Sequence, residues 1–247
     1  MKRVIGIDDL AVAYGEHRVL SGVDLQVEEG ERLIVLGSSG CGKSTLLKSI
    51  IGLAPIHAGH IKVLGAELAH LPEAERDALL RRLGVMFQNG ALFNSLTVGE
   101  NIALPLEMHA GLSADLIEDI VRTRLHLVGL DRAYALLPSE LSGGMRKRAA
   151  LARAMALDPE ILFCDEPGAG LDPVTAAEID HLLLTVNQSL GTTLVIITHE
   201  LLSIGRLDGR LLMLDQGQVV FTGTVAQARS CDLPVVAHFF NPGERPA

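Results

Sequence analysis

The chain has 247 residues, 48% of them hydrophobic, enough for one large α/β domain or two small ones around a sizeable core. Aromatics are only 3% and tryptophan is absent, so Leu, Ile, Val and Ala must fill that core. The net charge of −9 disfavours a general nucleic-acid binder, which needs a basic footprint to displace counterions, although a local basic patch stays open.

From the N-terminus, residues 4–27 alternate apolar and polar, with Val23, Leu25 and Val27 pointing one way. This pattern predicts antiparallel strands with one wet face. The opening "MKRVIGIDDL" turns acidic at Asp8 and Asp9, too soon for a signal-peptide core. "RLIVLG" (32–37) is a continuous apolar run of the kind buried on both faces. A glycine-rich loop follows, then "TLLKSIIGL", whose Leu46, Leu47, Ile50 and Ile51 recur at helical spacing. Helices are expected near 72–83 and 113–128, the latter with a stripe of Leu116, Ile117, Ile120, Val121 and Leu125. The stretch 89–112 carries mixed signals, and 89–158 as a whole reads as a mostly helical insert. "EILFCDE" (160–166) and "TTLVIITHE" (192–200) read as buried strands. Between them, 174–190 reads as a helix with Ile179, Leu182, Leu183, Val186 and Leu190 inward, ended by Gly191. "RLLMLDQGQVVFTG" reads as a hairpin around Gln216-Gly217. Alternating strands and helices imply an α/β fold with a mainly parallel sheet, to which an antiparallel β subdomain and a helical subdomain are added.

No apolar run approaches the roughly 18–20 residues of a membrane helix, so a membrane role is expected to run through a partner. Cys41, Cys164 and Cys231 are odd in number and lack zinc-ligand spacing, which suits a reducing compartment.

Two stretches carry chemistry. Gly37-Ser38-Ser39-Gly40-Cys41-Gly42-Lys43-Ser44-Thr45 fits G-x-x-x-x-G-K-[ST] without a mismatch. Its glycines let backbone N–H groups approach oxyanions at a helix N-terminus, Lys43 supplies charge for the outer phosphates, and Ser44 offers an oxygen to Mg2+. Cys41, beside that helix start, is expected to be thiolate-prone and open to alkylation. In "ILFCDEP", an apolar strand delivers Asp165 and Glu166 to its end, where ligands of open α/β sheets sit. Asp165 can reach Mg2+ through water, and Glu166 can orient and deprotonate the attacking water. A second glycine pair opens "LSGGMRKRAALARA", followed by Arg146, Lys147 and Arg148. Cations in a first helical turn oppose the helix dipole, so either a nearby anion or a plain solvated face accounts for them.

These motifs, in this order over roughly residues 4–230, resemble the ATP-binding subunits of ABC transporters. The resemblance implies a P-loop NTPase of ABC type that hydrolyses ATP with Mg2+. It implies a head-to-tail dimer of two copies in which Ser142, Gly143 and Gly144 of one face the ATP on the loop of the other. Tyr14 matches the ring that stacks on adenine, and Gln88 the loop glutamine that touches Mg2+ and faces the membrane partner. Asp172 matches the loop that crosses to the second copy, and His199 the residue that senses γ-phosphate. Met145, where many members have glutamine, and Gly168-Ala169 depart from the common pattern without removing a charged or metal-binding group.

The runs "FQNGALFNSLTVGENIALPL" and "LSGGMRKRAALARA" look most like Mla-type ATPases. These pair with an MlaE-like permease and an MCE-domain protein to move phospholipid between bacterial membranes. Apolar Ala91, Leu92 and Phe93 are then expected to form the socket of a permease helix. The implied location is peripheral, on the cytoplasmic face of the inner membrane. An ABC ATPase for another cargo, or a soluble non-transport ABC ATPase, are the alternatives. One ATPase domain is expected over 1–247: core and β subdomain at about 1–88 and 159–230, helical subdomain at about 89–158, and a short tail at 231–247.

Overall fold

The computed structural model describes residues 2–241. In chain order the elements are β1 (Arg3–Tyr14), β2 (His17–Glu28), β3 (Arg32–Gly37), α1 (Lys43–Ile50), β4 (Ala58–Val63), α2 (Glu73–Leu80), β5 (Leu83–Met86), α3 (Val98–His109), α4 (Ala114–Leu127), α5 (Gly143–Ala154), β6 (Ile161–Asp165), α6 (Pro173–Leu190), β7 (Thr193–Ile197), α7 (Leu201–Leu207), β8 (Arg210–Asp215), β9 (Gln218–Gly223), α8 (Val225–Arg229) and α9 (Pro234–Phe240). Residues 242–247 of the expected tail lie outside the described residues.

The chain divides into two compact units: residues through Leu80 with those from Thr193 onward, and Arg81–Thr192. In the first unit, β3 lies between β7 and β8, parallel to both, and β9 closes on β8 antiparallel. Every residue of β7 is buried, and so is all of β3 after Arg32. This is the signature of a parallel strand covered on both faces. The β8–β9 turn is Gln216-Gly217, with φ of 45° and 78°, the left-handed pair that matches strand twist in a tight hairpin. A separate antiparallel sheet runs β2-β1-β4. Val23, Leu25 and Val27 are buried on one of its faces, as their alternation predicts.

In the second unit, β5 and β6 form a parallel pair, with Met86 opposite Cys164. Helices α3, α4, α5 and α6 belong to the same unit. Helix α4 buries Ile117, Val121 and Leu125, but Leu116 of the expected stripe is exposed. Helix α6 starts on the Asp172 cap and ends at Gly191 in the left-handed region. Its Leu190, expected inward, is exposed because it sits in the last turn beyond the packed face. The unassigned stretch 89–112 contains α3, opened by a reciprocal capping box between Thr97 and Glu100. The helix expected to reach 83 stops at Leu80, because Leu83 already belongs to β5.

Among the described residues, no helix is long and apolar enough to cross a membrane.

Candidate nucleotide site

The glycine loop springs from the end of β3. At Gly37 (φ 143°), a Cβ would lie 2.2 Å from the Leu214 carbonyl oxygen and 2.6 Å from Cys41 Sγ, so no side chain fits. At Gly42 (φ 110°), a Cβ would strike Leu20 at 2.5 Å. These two glycines let the chain turn hard against β8 and β2 and enter α1 with its first N–H groups uncapped by any side chain. Such a terminus is an anion site. Lys43 folds back over the loop, donating to the carbonyls of Gly37 and Ser38 at 2.8 Å each. Ser38, Ser39, Gly40 and Ser44 are exposed and Thr45 is half-buried.

Cys41 corrects an expectation. It is 4% exposed, its Sγ is turned inward beside Gly37, and its carbonyl accepts from Gly217 N. The loop therefore presents backbone, not a reachable thiol.

Elsewhere in this unit, Tyr14 ends β1 with its ring 48% exposed, which a stacking platform requires. His199 follows β7 and is exposed.

In the second unit, β6 delivers Asp165 and Glu166 to its end, both 8% exposed. Glu166 is in the left-handed region (φ 51°), which costs a non-glycine residue about 1–2 kcal/mol. Its carbonyl oxygen accepts from Ala169 N at 3.2 Å and from Lys147 Nζ at 2.9 Å. Lys147 Nζ also donates to the backbone oxygen of Gln88, whose side chain is exposed. Burial pushes the Cys164 thiol up to about 12, with Asp165 adding to the rise and Lys147 opposing it.

The expected anion or solvated face at α5 is thereby corrected for Lys147, whereas Arg148 does have an anion beside it, the Glu178 carboxylate. Lys147 is 8% exposed and bound to the two carbonyls. Arg148 donates to Val128 O at 3.0 Å and pairs with Glu178. Arg146 alone of the three is exposed.

Helix α5 begins on Ser142, whose Oγ accepts from Met145 N at 3.2 Å. Gly143 is exposed, whereas Gly144 is buried. A Cβ on Gly144 would meet Thr175 Cγ2 at 2.5 Å, so packing against α6 demands glycine there on its own account. Asp172 caps α6, accepting from Val174 N, Thr175 N and Thr175 Oγ1. The Thr175 side-chain bond, then the backbone bonds, hold its carboxyl below the usual range.

Helix α5 also fixes the Gln88 loop, through residues the sequence reading passed over. Arg153 donates to Ala91 O at 2.7 Å and Gly90 O at 3.3 Å, with its guanidinium 5.8 Å from the Phe93 ring. Gly90 lies close over Ala150. Buried Asn101 accepts from Phe93 N and donates to the carbonyls of Phe93, Leu96 and Thr97. The readable signal was Lys147, Ala150 and Arg153, three apart on one helical face.

Ser44 in the first unit, and Gln88 and Asp165 in the second, each carry an oxygen of a kind Mg2+ takes: hydroxyl, amide and carboxylate. When bound, the ion would neutralise charge on the outer phosphates.

A glycine loop ending a buried parallel strand, with a Lys and Ser opening the next helix, defines a P-loop nucleotide-binding protein. The family model described as "ABC transporter" matches residues 20–169, and the chain belongs to that family. It is 39% identical to "Probable ribonucleotide transport ATP-binding protein mkl" of Mycobacterium leprae, over 96% of this chain and 68% of that protein. It is also 39% identical to "Intermembrane phospholipid transport system ATP-binding protein MlaF" of Haemophilus influenzae, over 95% and 89%. A Caulobacter vibrioides "Methionine import ATP-binding protein MetN" is 41% identical over 91% and 68%. Among solved structures, the dimeric ATP-binding cassette MJ0796 bound to ADP and Pi matches with TM-score 0.82 and 30% identity, over 90% of this chain and 98% of that one. The chain is an ABC ATPase coupled to transport, with the ABC-type α/β fold its sequence implied.

Proposed function

We propose that this ATPase drives phospholipid movement between bacterial membranes, from the cytoplasmic face of the inner membrane, with an integral permease and an MCE-domain protein. The observation that carries this reading is the likeness to MlaF over nearly the whole of both chains. The loop 88–93 supports it. Exposed Ala91 and Phe93 (51% exposed) are held on a framework of Arg153 and Asn101, an apolar projection suited to a permease helix.

The assignment of roles is ours as well. Gly37–Thr45 and Tyr14 hold ATP, and Ser44, Gln88 and Asp165 serve Mg2+. Glu166 takes the proton of the attacking water, and His199 senses the γ-phosphate. Ser142, Gly143, Gly144 and Asp172 act on the nucleotide of a second copy in a head-to-tail dimer. The chain works as one ATPase domain whose helical subdomain spans about 89–158.

A second reading, import of a small solute, has the 41% identity to a methionine-import ATPase behind it. Purification of the tagged chain from membranes separates the two. Recovery of an MCE-domain protein and of phospholipid bound to the complex is expected. Recovery of a soluble solute-binding protein in their place would contradict the lipid reading.

A further inference from the structure

Lys147 is an unusual lysine. It sits one turn into α5, where the helix dipole disfavours a cation, and it is more than nine-tenths buried. Burying an ammonium costs several kcal/mol unless good hydrogen bonds replace its water. Two of the acceptors are backbone oxygens far apart in sequence: Gln88 O, just after β5, and Glu166 O, just after β6. Strands β5 and β6 are parallel neighbours, so the segments leaving their C-terminal ends lie side by side. One ammonium bridges them.

The Glu166 end of this bridge bears on the reaction. With its φ of 51°, Glu166 is in a conformation a glutamate does not choose by itself. A strained residue persists only where surrounding bonds over-determine it. Here Ala169 N and Lys147 Nζ converge on its carbonyl. Rotating Glu166 to an ordinary backbone angle would swing that carbonyl off both donors and re-aim the carboxylate.

We propose that Lys147 is a positioning residue for hydrolysis, fixing the Glu166 backbone, and through it the carboxylate, while tying it to the Gln88 loop. The proposal rests on the assignment of Glu166 as base. Lys147 touches neither water nor nucleotide in this scheme. It sets where the carboxylate points, so its loss lowers turnover and spares nucleotide affinity. Because its other anchor is the Gln88 carbonyl, a shift of that loop reaches Glu166 directly.

The test is a double-mutant cycle in the full-length chain, reading steady-state ATP hydrolysis alongside binding of a magnesium complex of a non-hydrolysable ATP analogue. Lys147→Met is expected to lower kcat roughly 10–100-fold and to leave analogue affinity within about threefold. Lys147→Gln, whose amide has two N–H donors for two carbonyls, should recover much of that loss. Combined with Glu166→Gln, either Lys147 variant should change the residual rate by less than about twofold. An equal fold-loss in both backgrounds would overturn the proposal, as would a loss of analogue affinity matching the loss of kcat. If Lys147→Met does not fold, Lys147→Leu carries the cycle by the same criteria, with Lys147→Gln kept as the rescue. Should Glu166→Gln alone hydrolyse ATP at the wild-type rate, the assignment of the base fails. Should it be slow while Lys147→Met is fast, only the positioning role fails.

Discussion

Two glycine-bearing helix starts, Gly37–Ser44 and Ser142–Arg148, look alike in sequence and are built for different tasks. At the first, Gly37, Gly40 and Gly42 have positive φ, the helix has no side-chain cap, and Lys43 folds back over its own loop. At the second, Ser142 caps the helix and Gly144 has ordinary helical geometry. Lys147 there points inward to carbonyls of two other segments. The first is a nest shaped to wrap an anion. The second is a rigid edge whose glycines keep it flat: Gly144 against Thr175, and Gly143 on the surface. A glycine pair before a helix therefore does not by itself define a phosphate cradle. Backbone sign and the direction of the nearby lysine do.

The largest effect expected lies in the hydrolysis that we propose both edges serve. Glu166→Gln should bind ATP and lose about 10²–10⁴ in rate, read by steady-state phosphate release. The two edges then separate on binding. Lys43→Ala removes a charge-assisted contact worth about 1.5–3 kcal/mol, so ATP affinity should fall roughly 10–100-fold by calorimetry, whereas Ser142→Arg should leave binding by the single chain unchanged.

Glycine substitutions sharpen the contrast in stability. Gly37→Ala meets a backbone oxygen, so no neighbouring side-chain change should restore it. Gly144→Ala meets only Thr175 Cγ2 and should cost about 1–3 kcal/mol in chemical denaturation. Thr175→Ser removes that methyl and keeps the hydroxyl on Asp172, so the double variant should recover most of the loss.

Smaller effects follow. Alkylation of the native chain should label Cys231, which is partly exposed, before buried Cys41 and Cys164, as mass mapping will tell. Fast labelling of Cys41 would return the loop to the open form expected from sequence. The Asp172 cap should depend on pH in one direction. Its carboxyl is held below its ordinary value of 3.8, so its contribution is full above that pH and is lost as pH falls through the lowered value. Asp172→Ala should accordingly lower the thermal midpoint by a few degrees at neutral pH and have a vanishing effect in strong acid.

Much of this was legible in the sequence. β3, the loop and α1 were plain because an unbroken apolar strand, fixed glycine spacing and a helical stripe all pointed the same way. β6 was plain for the same reason, and the end of α6 was marked by Gly191. Helix α3 was hidden by Pro105 within it and by Gly99, which is glycine because the Tyr134 ring lies 2.9 Å from where a Cβ would be. β4 was hidden because only Ile61 and Val63 of its six residues are buried. At the site, residue types and spacing announced the nucleotide loop and the carboxylates. The burial of Cys41 and Lys147 was invisible, because their partners, Gly217 for Cys41 and the carbonyls of Gln88 and Glu166 for Lys147, are remote in sequence.

The central claim is that the nest of one copy and the flat edge of another close on the same nucleotide. The most direct measurement is the solution mass of Glu166→Gln in saturating MgATP, with and without Ser142→Arg. The account predicts a rise from 26.3 kDa to about twice that for Glu166→Gln, and no rise for the double variant although it is loaded with ATP. Equal pairing with and without Ser142→Arg, or a Glu166→Gln chain that stays single while saturated with ATP, would contradict it.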